Sequence, residues 1–195
     1  WHSEPGKNLI LSVLLQPAFL RPDEQFQLNK AVSLGVLDFI RLSLSPILRF
    51  SSSGAESGKG RKGEPERVGI STKWPNDIYI GSKKVAGILI ENSVNGNKLQ
   101  QSIIGIGINV NQENFSHELP NPTSLKLISG KEFDLKECLE ELCSCIEKRY
   151  LELRANQIDK IDVEYLKNLY LFGELAQYKY KGEAIKAKIT GVAKV

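Results

Sequence analysis

The chain has 195 residues, 41% of them apolar, and a formal net charge of +3. That length suits one large domain, or a domain with a small partner, and the composition can build a sizeable core. The small charge gives no argument for a nucleic-acid or membrane surface, and no apolar run approaches the roughly 18 residues of a membrane span. The opening WHSEPGKNL has no basic-then-apolar signal pattern. Cys138, Cys143 and Cys145 crowd into one segment. An odd number so placed does not make a disulfide framework, which predicts reduced thiols and a cytoplasmic protein. With no second Cys or His pair nearby, packing is favoured over a metal for these thiols.

In chain order, NLILSVLLQP (residues 8–17) is a nearly continuous apolar run closed by proline and predicts a buried strand. After a turn at Pro22 and Asp23, the spacing of Phe26, Val32, Val36, Phe39, Ile40 and Leu44 predicts a well-buried helix ending near Pro46. Residues 51–66 carry Ala55 as their single apolar residue and read as a surface loop. A meander follows. Residues 68–74 form a strand, Pro75, Asn76 and Asp77 interrupt it, and residues 78–80 resume it. A tight turn at Gly81 and Ser82 leads to a strand over 84–93; a second turn at 95–97 leads to a strand over 99–111. The continuous apolar centres of these two long strands predict burial on both faces, in the middle of a helix-covered sheet. A polar loop with two prolines precedes an amphipathic helix over 134–153, in which Leu135, Cys138, Leu139, Leu142, Ile146 and Tyr150 share a face and whose start is marked by Asp134 with Glu137. A second helix is expected over about 162–171, and the tail alternates like two small strands around Lys181 and Gly182.

Glycine weakens a strand interior unless something must approach the backbone closely. Gly87 interrupts one central strand, and Gly105 and Gly107 interrupt the other. Either a ligand lies across these strands, or bulges and close helix packing require the glycines. Lys84 opens the Gly87 strand, and the hairpin through Gly81 and Ser82 brings Asp77 towards it. A carboxylate and an ammonium at the mouth of a glycine-lined sheet suit Mg²⁺ and a phosphate; the alternative is a solvated surface ion pair. Two other glycine motifs carry less. The run from Gly105 to Asn111 lacks the third glycine and following helix of a dinucleotide fingerprint, and GKGRKG at 58–63 lacks the strand and helix that frame a phosphate loop.

Taken together, KWPND, KKVAGILIE, GIGINVN, PTSL and the opening WHSEPGKNL resemble the catalytic domain of the biotin protein ligases, the biotin–[acetyl-CoA-carboxylase] ligases. The resemblance runs from Trp1 to Leu125. It implies an α/β (α+β) fold with a mixed, largely antiparallel central sheet like the class II aminoacyl-tRNA synthetase core, over residues 1–172. Residues 173–195 would begin a small SH3-like barrel, left incomplete. It also implies a cytoplasmic ligase that joins biotin to ATP with Mg²⁺, giving biotinoyl-5′-AMP, and passes biotin to a lysine of the biotin carboxyl carrier protein of acetyl-CoA carboxylase.

Carried over by position, Lys84 contacts the biotin carboxylate and the adenylate phosphate, and Asp77 sits near the metal. Gly87, Leu89 and Gly105 line the biotin pocket. Asn109 hydrogen-bonds the adenine, Trp1 lies beside the nucleotide, and the loop over about 111–124 folds over the adenylate. Lys73 and Trp74 belong to the motif, with lesser direct roles. The family's Gly-Arg-Gly-Arg-x-Gly loop and its Ser-Thr-Asn motif would precede Trp1. Neither is in the sequence, so the expectation is either a core whose N-terminal part lies beyond the chain or a chain that has lost the activity. A lipoate ligase of the same superfamily and a non-catalytic biotin-sensing corepressor are the alternatives; a homodimer is left open.

Overall fold

The computed structural model describes residues 3–45 and 69–193. Trp1, the whole of the 51–66 loop expectation, the GKGRKG motif at 58–63 and Pro46, the expected helix terminator, fall on residues outside these. Seven strands are described: β1 (Leu9–Leu15), β2 (Ile70–Lys73), β3 (Asp77–Ile80), β4 (Lys83–Asn95), β5 (Lys98–Ile108), β6 (Leu175–Tyr180) and β7 (Glu183–Lys188). The first five form one sheet in the order β1-β5-β4-β3-β2. Every pairing in it is antiparallel, so the mixed sheet expected from the resemblance is antiparallel across these strands. The segment around Pro75 is not an interruption of one strand: β2 and β3 are separate antiparallel neighbours, with a turn between them.

Helix α1 (Gln25–Ser43) lies across one face of the sheet and is buried along almost its whole length, as its apolar spacing predicts. Behind it pack α3 (Leu135–Arg154) and α4 (Ile158–Lys167), while the short α2 (Leu125–Ser129) follows β5. Gly35 lets α1 and α3 approach closely: a Cβ there would stand 2.9 Å from the Ile146 Cα. One cation ties the three helices together. The Arg149 guanidinium of α3 reaches Asp38 of α1 at 2.7 Å, Glu152 at 2.9 Å and Glu164 of α4 at 2.6 Å. Burial alone would lower its pKa, but these carboxylates more than reverse that and raise it, so the group stays charged. Asp134 caps α3 by accepting from the Lys136 and Glu137 N–H groups. Cys138 and Cys145 are buried on this helix and Cys143 is exposed; all three are free thiols.

Three expectations need correction. The long strands are not buried on both faces. Ile104, Ile106 and Ile108 pack against the helices, whereas Ile103 and Leu89 on the other face are exposed. The same holds for β1, where Ile10 and Leu14 are exposed, because among the described residues only one face of the sheet is backed by helices. Helix α4 begins four residues earlier than expected, at Ile158, and stops at Lys167. Its N-cap Gln157 makes no side-chain capping bond, so the start has no sequence signal. The tail does form the expected hairpin, β6 with β7, as an open two-stranded sheet and not a closed barrel. Among the described residues, no helix is long and apolar enough to cross a membrane.

Candidate functional site

The predicted residues meet on the face of the sheet opposite the helices, which is open among the described residues. Strand register determines which side chains share it. Gly105 of β5 stands between Ser12 of β1 and Leu89 of β4, and Gly107 stands between Ile10 and Gly87. Gly87 in turn faces Asp77 of β3, and Asp77 faces Lys73 of β2. A two-residue period keeps all of these on one side. A register shift after Ile78 then sets Lys84 opposite Tyr79. It leaves Val85 and Ala86 both buried while Lys84 turns to the open face.

The glycines create the relief. A groove of about 410 Å³ runs over Ile10, Ser12, Gly87, Leu89, Gly105 and Gly107 and ends at Asp77 and Lys84. A second cleft of about 380 Å³ begins at the same two residues and extends past Lys73, Tyr79 and Asn109 to Phe115, Leu119, Pro120 and Pro122. Asp77 and Lys84 are therefore the junction of two cavities. Their ion pair is short, 2.6 Å from Lys84 Nζ to Asp77 Oδ1, and both side chains are partly exposed to the clefts. The hairpin expectation that Asp77 and Lys84 approach each other is met.

Lys84 is held by its backbone. Its N–H donates to the Asn121 carbonyl at 2.9 Å, and its carbonyl accepts from the Thr123 N–H at 2.9 Å. The segment around Pro122 thus lies alongside the start of β4 and forms one wall of the second cleft. Asn109 fixes that wall from the other side. It is buried, its Nδ2 donates to the Thr123 carbonyl at 2.9 Å, and its backbone carbonyl accepts from the Leu125 N–H. Asn111 closes the far end through reciprocal bonds with Phe133, 2.8 Å and 3.0 Å. Asn8 accepts from the Val110 N–H at 3.0 Å and donates to Gln112 Oε1, tying the chain before β1 to the end of β5.

Of the residues singled out from sequence, Asp77, Lys84, Gly87, Leu89, Gly105 and Asn109 all line one or both cavities. Lys73 lines the second cleft; Trp74 is half-exposed and lines neither. Trp1 lies outside the described residues. Sequence reasoning missed Tyr79, together with Ile10 and Ser12 of β1. The signal for the last two was their alternation along a strand, but recognising it requires knowing that β1 pairs with β5. Among the described residues, no group of three or more His, Cys, Asp or Glu side chains stands ready to hold a metal. Asp77 is a single carboxylate. Mg²⁺ is commonly held by one or two carboxylates plus substrate phosphates, so Asp77 suits a metal that arrives with a nucleotide.

The pattern of the biotin/lipoate A/B protein ligase family matches residues 1–109. The bifunctional ligase/repressor BirA of Bacillus subtilis is 34% identical over 155 residues, covering 77% of this chain and 40% of that protein. The chain thus spans about two-fifths of the length of the curated relatives it matches first. A mutant biotin protein ligase from Aquifex aeolicus in complex with biotin has a similar structure, with a TM-score of 0.69 at 26% identity, covering 96% of this chain and 68% of that one. The enzyme from the same organism in complex with biotin and ATP gives 0.68 at 27% identity, with the same coverage. With over half of its residues inside the family match, the chain belongs to the biotin/lipoate A/B protein ligase family.

Proposed function

We propose that this chain is the catalytic core of an ATP-dependent biotin protein ligase. The observation that carries the reading is the Asp77–Lys84 pair at the junction of two cavities, one floored by glycine and apolar side chains, the other walled by Asn109 and the 115–122 segment. A fused bicyclic acid suits the first, where bare backbone at Gly87, Gly105 and Gly107 offers a flat floor. A nucleoside suits the second. Their reacting ends then meet at Lys84. Likeness to solved biotin protein ligases, one of them holding biotin and ATP, favours biotin over lipoate.

In the first step a carboxylate oxygen of biotin attacks the α-phosphorus of ATP. The bond from that phosphorus to the bridging oxygen breaks, and pyrophosphate leaves with the electron pair. Lys84 draws the two anions together and stabilises charge on the α-phosphoryl oxygens; Asp77 orients Lys84 and would hold the nucleotide's Mg²⁺, which supplies further charge neutralisation. In the second step a lysine amine of the acceptor attacks the acyl carbon, the carbon–oxygen bond to AMP breaks, and the amine proton passes to solvent or a base. The acceptor in this reading is the biotin carboxyl carrier protein, and the compartment is the cytoplasm. Residues 173–195 would begin a second, small domain.

The test is biotin-dependent ATP–pyrophosphate exchange. Lys84→Ala should lower it by roughly 100- to 1,000-fold, the usual cost of one charge-stabilising donor, with an unchanged circular dichroism spectrum. Exchange within a few-fold of the parent would remove Lys84 from the chemistry, and exchange that ignores biotin would remove the reaction.

A further inference from the structure

Lys84 is not the only cation facing the second cleft. Lys73, at the end of β2, lines it as well. Its ammonium donates to the Tyr79 hydroxyl at 3.0 Å and sits 4.7 Å from the centre of the same ring. Among the described residues no carboxylate lies within ion-pairing distance of it, whereas Lys84 is engaged with Asp77. The hydrogen bond to Tyr79 holds the Lys73 pKa above its ordinary value, against the lowering effect of burial, so it stays charged at neutral pH. A buried ring is thus keeping a long, mobile cation in one place at the mouth of a cleft.

The ring is itself braced. Tyr79 packs against Tyr170 with centroids 5.3 Å apart. Tyr170 belongs to the segment after α4, and that segment pairs with the edge of β2. The Thr72 N–H donates to the Asn168 carbonyl, and the Tyr170 N–H donates to the Thr72 carbonyl, both at 2.8 Å. The chain leading to the C-terminal hairpin therefore fixes the residue next to Lys73 and the ring beneath it.

Position separates the two lysines. Lys84 lines both cavities, whereas Lys73 lines the second cleft only. Two ammonium groups against one carboxylate leave net positive charge at this end of the cleft, which suits an anion with several negative charges. We propose that Lys73 is a second phosphate-binding cation of this site, positioned by the Tyr79 ring that Tyr170 braces, and that it takes the β- and γ-phosphates of the nucleotide and then the departing pyrophosphate. This rests on the ligase reading for the identity of the anion, not for the existence of the anion site.

Calorimetric titration of the full chain with inorganic pyrophosphate and with ATP tests it without requiring turnover. Lys73→Gln should weaken both by about tenfold or more, the scale of one charge-assisted hydrogen bond, while biotin affinity stays unchanged. Lys73→Arg should restore most of the loss. Tyr79→Phe, which keeps the ring and removes the hydroxyl, should give a smaller loss of the same kind. Unchanged pyrophosphate affinity in a Lys73→Gln protein with parental melting temperature overturns the proposal, and so does absence of pyrophosphate binding in the parent. Should Lys73→Gln fail to fold, acetylation of the parent followed by mass spectrometry decides: saturating pyrophosphate shields Lys73 if the assignment is right, and equal labelling with and without it overturns the assignment. The two readings fail separately. Pyrophosphate binding through Lys73 without any biotin-dependent exchange removes the ligase reaction and leaves the anion site, whereas exchange in Lys73→Gln with unchanged KM for ATP and pyrophosphate removes Lys73 and leaves the reaction.

Discussion

Gly105 separates a packing role from a binding role at a single residue. A Cβ built there would meet the Leu89 carbonyl oxygen at 3.7 Å and the Leu89 Cβ at 3.9 Å, ordinary contact distances, so nothing in the fold forbids a side chain. Gly35 is the contrast, since a side chain there would enter the Ile146 backbone. One glycine is needed by packing and the other is not, and a bare backbone at Gly105 is what the proposed biotin pocket calls for. Valine favours strands. Gly105→Val should therefore fold with unchanged or slightly higher thermal stability, yet bind biotin far more weakly. Displacing a bound group by about 1 Å is enough for a roughly 100-fold loss in function. Calorimetry with biotin, alongside a thermal melt, checks both halves. A variant that unfolds would return Gly105 to a packing role.

At the scale of elements, the site rests on a sheet whose other face is backed by buried helices. Tyr165 of α4 is almost fully buried, with its ring edge-on to Phe26 of α1 at 5.8 Å between centroids. Burial pushes its phenol up to about 12, with the neighbouring Thr72 side chain opposing the shift. Cys138 on α3 is likewise pushed up to about 11 by burial, then by Glu141 and the nearby carboxylates. Both groups are neutral in the fold and ionise more easily when unfolded, so each raised pKa contributes stability that is complete below the unfolded value. That stability is lost as pH rises towards the folded value. For Tyr165 the window runs from about pH 10, the value in an unfolded chain, to about 12. Stability should fall steeply across it, by on the order of 2 kcal/mol from this residue. Tyr165→Phe keeps the ring and removes the ionisation, so its melting temperature should decline less than that of the parent above pH 10. Equal slopes in parent and variant would mean that α4 opens before Tyr165 ionises.

Across the whole molecule, local patterns were legible and long-range ones were not. The α1 core face, the hairpin that joins Asp77 to Lys84, and the β6–β7 pair follow from spacing and turn residues near in sequence. The partner of β1 could not be read, because Ser12 meets Gly105 across 92 intervening positions and nothing local marks the pairing. One-sided burial was missed because a run such as that around Ile88 looks the same whether its second face meets protein or a ligand. The clamp of Asn121 and Thr123 on Lys84 consists of backbone bonds and leaves no side-chain signature. The same contrast between local and long-range contact predicts how stability is distributed. The central strands β4 and β5 share a long ladder and a buried apolar face, whereas among the described residues β6 and β7 pair only with each other and leave Leu175 and Tyr180 exposed. The Phe172–Ile189 bridge and a Gly173 N–H bond to the Ile189 carbonyl at 2.9 Å close the base of that hairpin, and Ile189 and Val192 beyond it pack against the core. An isolated two-stranded ribbon is marginal in water, so it should open locally without unfolding the core. Hydrogen exchange followed by mass spectrometry should show peptides from β6 and β7 exchanging orders of magnitude faster than those from α1 and β5. Residues 168–170, bonded to Thr72, should exchange at an intermediate rate, and pyrophosphate should slow them if they brace the Lys73 site. Protection of the hairpin equal to that of β5 would mean that a larger body covers it.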